Sequence, residues 1–187
     1  KDEWVVERIA SGAGAATVPG AAEFVLHMVK SQDQYGIQAD NDSYVAIDLT
    51  VGPGAKPARF VMDTGASHTV IKDFDARNLG AFDLNPGMSV SAQGGTGVQM
   101  GGMRMVGLGR ASLGGLDCGD FQAVATQGGL PVPYDCCGLL GLDFLGRFHW
   151  ELDVPRRKAR AVPISSSYQM PFDTAGLLPV PMQPLRA

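Results

Sequence analysis

One stretch of the sequence, residues 60–71, places an acidic side chain between two strand-forming runs. The run Phe60-Val61-Met62 favours an extended strand and leads directly into Asp63. A turn of small residues follows, and residues 69–71 resume the β-branched, apolar pattern. Burying a carboxylate in such surroundings is costly unless another group compensates for it. We therefore expect Asp63 to have a functional role.

Short strands and turns dominate the rest of the chain. Its 187 residues include 25 Gly and 12 Pro, and only 18% are charged, which is typical of many turns and few long helices. Hydrophobic patterning predicts strands at residues 24–29, 44–51, 59–62, 69–71, 103–113, 116–126, 136–142, 150–154 and 159–162, and a β-hairpin with a glycine-rich tip at residues 88–100. Helical turns are predicted at residues 73–79 and 142–148. This order predicts an all-β barrel or sandwich, without the helix–strand alternation that favours a parallel sheet.

Three segments are expected along the chain. Residues 1–20 resemble a flexible tail, residues 21–163 one folded domain, and residues 164–187 a second tail with four prolines. The sequence begins with Lys1 and has no signal-peptide pattern, so we expect a fragment of a longer precursor. No apolar run reaches the roughly 18–20 residues of a membrane span, and the net charge of −4 does not favour nucleic acid. The compartment is not predicted.

The cysteines and histidines give no metal-binding pattern. Cys118, Cys136 and Cys137 form no CxxC motif, and the three histidines are scattered along the chain. No metal and no cofactor are therefore predicted. Buried thiols are the favoured interpretation of the cysteines, and one disulfide from Cys118 to Cys136 or Cys137 is the alternative.

A second motif later in the chain completes a recognisable pair. The triplet Asp63-Thr64-Gly65 follows an apolar strand, and residues 138–145 read Gly-Leu-Leu-Gly-Leu-Asp-Phe-Leu. Together these stretches resemble the retropepsin-like aspartic proteases, and among them the retrotransposon and cellular single-domain members. The resemblance covers residues 24–163 by the order of elements and is specific at residues 60–71 and 138–148. It implies an acid-protease barrel with one short C-terminal helix and a β-hairpin flap.

The resemblance also implies roles for individual residues. Asp63 would be the catalytic aspartate, Thr64 would hold two aspartates in place, and Gly65 would allow backbone and substrate to approach closely. Leu139, Leu140 and Gly141 would pack behind the Asp-Thr-Gly loop. The implied substrate contacts are Ala66, Ser67 and Leu139, together with Gly94, Gly95, Thr96 and Gly97 at the flap tip.

The chemistry requires a second aspartate. Peptide hydrolysis without a metal needs a base that activates water and an acid that protonates the carbonyl oxygen. Two carboxylates about 3 Å apart share one proton and supply both roles. Asp-Thr-Gly occurs only once in this chain. The second aspartate would therefore come from another copy, in a C2 homodimer that cleaves peptide or protein substrates and favours acidic pH.

Departures from the retroviral pattern leave alternatives open. Ser67 and His68 stand where two acidic residues are usual, and Leu142 replaces an arginine, so the charged network that braces retroviral dimers is missing. A catalytically silent peptide-binding or dimerisation module is one alternative, and a pepsin-like half-domain is another. For single residues, Asp63 could instead cap a turn. Asp143 is expected to cap the following helix rather than to catalyse.

Overall fold

The protein folds as an almost entirely β-structured domain. The computed structural model describes residues 20–32, 38–93 and 99–164, and within these ranges the predicted all-β class is confirmed. The strands are β1 Ala22–Val25, β2 His27–Gln32, β3 Gln38–Val51, β4 Lys56–Met62, β5 Val70–Lys72, β6 Phe82–Asp83, β7 Val90–Gln93, β8 Gln99–Leu113, β9 Leu116–Thr126, β10 Gly138–Leu140, β11 Phe148–Asp153 and β12 Lys158–Pro163.

Two short helices accompany the strands. They are α1, Asp73–Asn78, and α2, Leu142–Leu145, and both coincide with predicted helical turns. Helix α1 adds a second helix to the single C-terminal one that the resemblance implies. No helix in the described ranges is long and apolar enough to cross a membrane.

The strands form a large sheet and a small one. The large sheet has the order β2-β3-β4-β10-β5-β9-β8-β6, with β7 paired to β8, and the small sheet has the order β1-β12-β11. Strand β3 also pairs with β8 through Thr50 and Val51, which brings distant strands of the large sheet together in the manner of a barrel. Strand β10 is parallel to β4, and β5 is parallel to β9. The sequence did not predict these two parallel pairings, because the connections between the paired strands consist mostly of further strands and contain only the short helix α1.

The strand predicted at residues 24–29 is interrupted at Leu26. This residue is fully buried, and its N–H donates to the carbonyl of Arg157 at 3.0 Å. The chain changes sheets there, so that β1 pairs with β12 and β2 pairs with β3. One predicted strand is therefore two strands in different sheets.

Two apolar clusters fill the interior. The larger one holds the contacting aromatic rings of Phe60, Phe121, Phe144 and Phe148, with successive ring centroids 5.5–5.6 Å apart. These contacts connect β4 and β9 to α2 and β11. The smaller one, called here the second apolar cluster, consists of Val29, Ala46, Val61, Val132 and Cys136.

All three cysteines are free thiols in the structure. Cys118 and Cys136 are buried, and Cys137 is half-buried. Loss of solvation by burial raises the pKa of Cys118 to about 11 and that of Cys136 to about 12.

Some predictions concern residues outside the described ranges. These are the two tails, apart from residues 20 and 164, and the flap tip formed by Gly94, Gly95, Thr96 and Gly97. The strands on either side of that tip, β7 and β8, pair as an antiparallel hairpin whose innermost partners are Gln93 and Gln99.

Candidate active site

Asp63 begins a tight turn at the end of β4. Its N–H donates to the carbonyl of Leu140 at 3.0 Å, which extends the parallel pairing of β4 with β10 by one residue. Its carboxylate Oδ1 accepts a hydrogen bond of 2.9 Å from the N–H of Gly65. The Asp63 side chain is therefore held by the backbone of its own loop, with part of its surface open to solvent.

The residues that follow Asp63 lie at the surface. Thr64, Gly65 and Ser67 are exposed, and Ala66 is half-buried. The carbonyl of Ala66 accepts a hydrogen bond of 2.9 Å from the N–H of Leu142, the first residue of α2. The loop is thus anchored from behind and open in front, where another molecule can reach it.

Strand β10 lies directly behind this loop. It is parallel to β4 on one side and antiparallel to β5 on the other, with Leu139 opposite both Val61 and Val70. Leu140 is fully buried in the larger cluster, while Leu139 is half-buried against the second apolar cluster. The packing implied for the second motif is present, and contact of Leu139 with substrate stays a prediction.

Two glycines make this close packing possible. A Cβ atom on Gly138 would lie 2.0 Å from the carbonyl oxygen of Val70, and one on Gly141 would lie 2.4 Å from the carbonyl carbon of His68. Both obstructions are backbone atoms, which do not rotate away as a side chain does. Any larger residue at these positions would push β10 away from the strand that follows the Asp63 loop.

Thr69 and Asp143 join the two motifs through hydrogen bonds. Both carboxylate oxygens of Asp143 accept from the Thr69 N–H, at 2.9 and 3.0 Å, and Oδ1 accepts from the Thr69 hydroxyl at 2.8 Å. The same hydroxyl accepts from the N–H of Gly141 at 3.2 Å. The prediction that Asp143 caps the helix is wrong, because Gly141 is the N-cap of α2 and no side chain from the described part of the chain caps it. Asp143 lies in the first turn and binds Thr69 instead.

His68 is a surface residue beside this network. Its side chain is 70% exposed, and Nδ1 lies 3.8 Å from Asp143 Oδ2, a distance beyond hydrogen-bonding range. The sequence predicted Thr69 only as part of a strand, and its backbone and side chain are fully buried directly before β5. A polar residue at the edge of an apolar run is the one signal that points to it.

The site as described contains one carboxylate suited to proton transfer. Among the described residues, no second carboxylate forms a hydrogen bond with Asp63. No three His, Cys, Asp or Glu side chains in those ranges come together as metal ligands either. A single carboxylate can serve as base or as acid at one moment, so both roles together require another group.

The family of the chain follows from a comparison with known proteins. A family model described as aspartyl protease matches residues 47–144, just over half of the chain, and this range contains Asp63, Thr69 and β10. A search of curated proteins by sequence gave no match.

Several solved structures resemble the chain. A retropepsin-like aspartic protease from Rickettsia conorii is 20% identical over 75% of this chain and 91% of its own, with a TM-score of 0.46. The EIAV protease in an inhibitor complex is 15% identical over 59% and 92%, with a TM-score of 0.40. Conglutin gamma from lupine seeds is 12% identical over 77% and 50%, with a TM-score of 0.38. These superpositions are loose, so the assignment relies on the family model: the chain belongs to the aspartyl protease family.

Proposed function

We propose that the protein is an aspartic endopeptidase whose active site is completed by a second copy of the chain. The observation that carries this proposal is the Asp63 loop, held by β10 and open in front, within a member of the aspartyl protease family. Because the sequence has a single Asp-Thr-Gly, a C2 homodimer would supply the second carboxylate on the symmetry axis.

The proposed mechanism divides acid and base roles between the two copies of Asp63. One carboxylate, ionised, takes a proton from a water molecule, whose oxygen attacks the carbonyl carbon of the peptide bond. The other carboxyl group donates its proton to the carbonyl oxygen, which gives a tetrahedral intermediate. Transfer of a proton to the amide nitrogen then breaks the C–N bond. Acidic pH favours this reaction because the pair must carry one proton between them.

The remaining predicted residues have supporting roles in this proposal. Thr64 holds the two loops together across the axis, and Gly65 donates its N–H to the Asp63 carboxylate. An extended peptide would add as a strand under the β7–β8 hairpin, with apolar side chains flanking the cut. The proposed contacts are Ala66, Ser67, Gly94, Gly95, Thr96, Gly97 and Leu139.

The test compares wild type with Asp63→Asn on a mixed peptide library at pH 4–6, with products identified by mass spectrometry. General acid–base groups contribute on the order of 10²–10⁴ in rate, so we expect at least a roughly hundredfold loss of cleavage. Asp120→Asn, at an exposed position on β9, is the control and should cleave like wild type. Equal cleavage by wild type and Asp63→Asn would contradict the proposal. Peptide binding without cleavage by either would support the catalytically silent module instead.

A further inference from the structure

Lys72 holds a loop that lies beside the proposed active site. Its Nζ donates to three backbone carbonyls, those of Pro133 at 3.3 Å, Tyr134 at 3.4 Å and Cys136 at 2.6 Å. An ammonium group has three N–H donors, so these acceptors match its full capacity. One side chain on β5 therefore fixes the backbone of residues 133–136.

Both strands that flank the Asp63 loop hold this segment. The Lys72 N–H donates to the carbonyl of Cys137 at 2.9 Å, and the Cys137 N–H donates to the carbonyl of Arg59 at 2.7 Å. The Arg59 guanidinium also pairs with the Asp135 carboxylate at 2.8 Å. Residues 130–137 are thus attached to β5 through Lys72 and to β4 through Arg59.

The apolar residues of this loop cover the side of the sheet that leads to Asp63. Val132 and Cys136 are buried with Val61 in the second apolar cluster, and Leu130 and Leu139 are half-buried at its border. Val61 precedes Asp63 by two residues, and side chains two apart on an extended strand lie on the same side. Leu130, Val132 and Cys136 therefore form an apolar wall that packs against Leu139 and Val61, on the stretch of sheet that leads to Asp63.

We propose that Lys72 is a positioning residue that sets the distance between this wall and Leu139, and so determines which apolar side chains the site accepts. This inference rests on the proposed function. Without the ammonium, three carbonyls lose their donor and residues 133–136 relax toward solvent, where Tyr134 is already 88% exposed. Lys72 touches no reacting atom, so its loss should alter selectivity more than turnover of the best substrate.

The test measures kcat/KM for two peptides that differ only in one apolar residue next to the cut, Phe in one and Ala in the other. Two variants are compared with wild type. Lys72→Met keeps a long, unbranched side chain without its N–H donors, and Lys72→Arg keeps N–H donors. The matched control is Lys56→Met, since Lys56, at the start of β4, also donates to the backbone, but to one carbonyl, that of Asn78. Asp135→Asn, at an exposed position, weakens the other attachment of the loop, through Arg59. It tests the same idea if Lys72→Met fails to fold.

We expect Lys72→Met and Asp135→Asn to change the Phe-to-Ala ratio roughly fivefold or more, because small displacements of a pocket wall alter discrimination by such factors. Lys72→Arg should restore most of the wild-type ratio, and Lys56→Met should leave it unchanged. Asp63-dependent cleavage with the same ratio in all variants would overturn this inference alone. Absence of Asp63-dependent cleavage in wild type would overturn the proposed function, and this inference with it.

Discussion

The Thr69 hydroxyl donates a hydrogen bond of 2.8 Å to the Asp143 carboxylate and accepts one of 3.2 Å from the N–H of Gly141. Thr69 follows the Asp63 loop, whereas Gly141 and Asp143 follow β10. A single buried hydroxyl therefore joins the segment that carries the proposed catalytic residue to the segment that supports it.

Replacing Thr69 by Val removes this hydroxyl with little change of volume. The N–H of Gly141 then has no acceptor at a buried position, and an unsatisfied buried group costs about 1–3 kcal/mol. We expect the free energy of unfolding to fall by this amount in urea denaturation. Thr126→Val is the control, because the buried Thr126 hydroxyl accepts from the N–H of Gly128 in the adjacent turn, a local contact within the same segment. A loss no greater in Thr69→Val than in Thr126→Val would contradict the prediction.

Substitution of Gly141 by Ala tests the close approach of residue 141, directly after β10, to residue 68. The added methyl group would meet the His68 backbone at 2.4–2.8 Å, so the backbone must move. Overpacking of this kind costs about 1–3 kcal/mol, and the displacement of α2 and Leu140 should also reduce any Asp63-dependent cleavage. Thermal or urea unfolding gives the first effect and the peptide assay the second. Gly129→Ala, where a Cβ would meet nothing within 4 Å, should behave like wild type in both.

Asp73 should make stability depend on pH. Its side chain is 9% exposed and accepts from Arg104 at 2.7 Å and from Arg77 at 2.6 Å. Hydrogen bonding to Arg104 is the main cause that lowers its pKa below the ordinary value of 3.8. A lowered pKa in the folded state gives stability that is present above pH 3.8 and is lost as the pH falls through the lowered value.

We expect Asp73→Asn to destabilise the fold by about 1–3 kcal/mol at pH 7. Breaking a fully enclosed ion pair would cost more, but both arginines are partly exposed. The difference in free energy of unfolding between wild type and Asp73→Asn should become smaller as the pH drops below 3.8. Urea denaturation at pH 7 and pH 3 would reveal this change. Asp153→Asn, which breaks an exposed pair with Arg156, is the control and should change little at either pH. If the difference in free energy of unfolding between wild type and Asp73→Asn were the same at both pH values, this carboxylate would not stabilise the fold through its charge.

The proposed homodimer predicts inhibition by the inactive variant. If wild type and Asp63→Asn are mixed and allowed to exchange subunits, each wild-type copy finds a wild-type partner in proportion to its share of the mixture. A ninefold excess of the variant should therefore reduce cleavage to about one tenth of that of the same amount of wild type alone. An equal excess of Asp63→Asn that also lacks the ability to pair, or of an inert protein, should leave cleavage unchanged. Cleavage that does not change with the proportion of Asp63→Asn in the mixture would indicate a site complete within one chain.

The local sequence was sufficient for the strands around Asp63 and for the position of the second motif. Strands β4 and β5 follow from apolar, β-branched runs, and the glycines of the second motif lie where β10 meets its neighbours. The partner of Asp143 could not be predicted, since Gly-x-Asp before a helix is typical of a cap, whereas Thr69 lies 74 residues away in sequence. Contacts over such separations depend on how the strands cross.

Two other features were invisible for similar reasons. The residues on either side of Leu26 favour extended structure equally well, so nothing local indicates that the chain changes sheets there. Lys72 binds backbone carbonyls, and these are present at every residue, so no side-chain pattern marks its partners. Sequence patterns reveal which segments are extended and apolar, but not which backbone atoms a long polar side chain reaches.

Strand β10 occupies the gap between β4 and β5, which are neighbours in sequence but not in the sheet. The strand that supports the Asp63 turn, residues 138–140, therefore follows both long hairpin strands β8 and β9 in the sequence, and the turn lacks this support until it has been made. Such late, non-local contacts are formed slowly, because the intervening chain must first be ordered. During synthesis, the carboxylate would remain in an unformed loop until most of the domain had emerged. The order of the strands along the chain thus delays the appearance of a competent site until the fold around it is nearly complete.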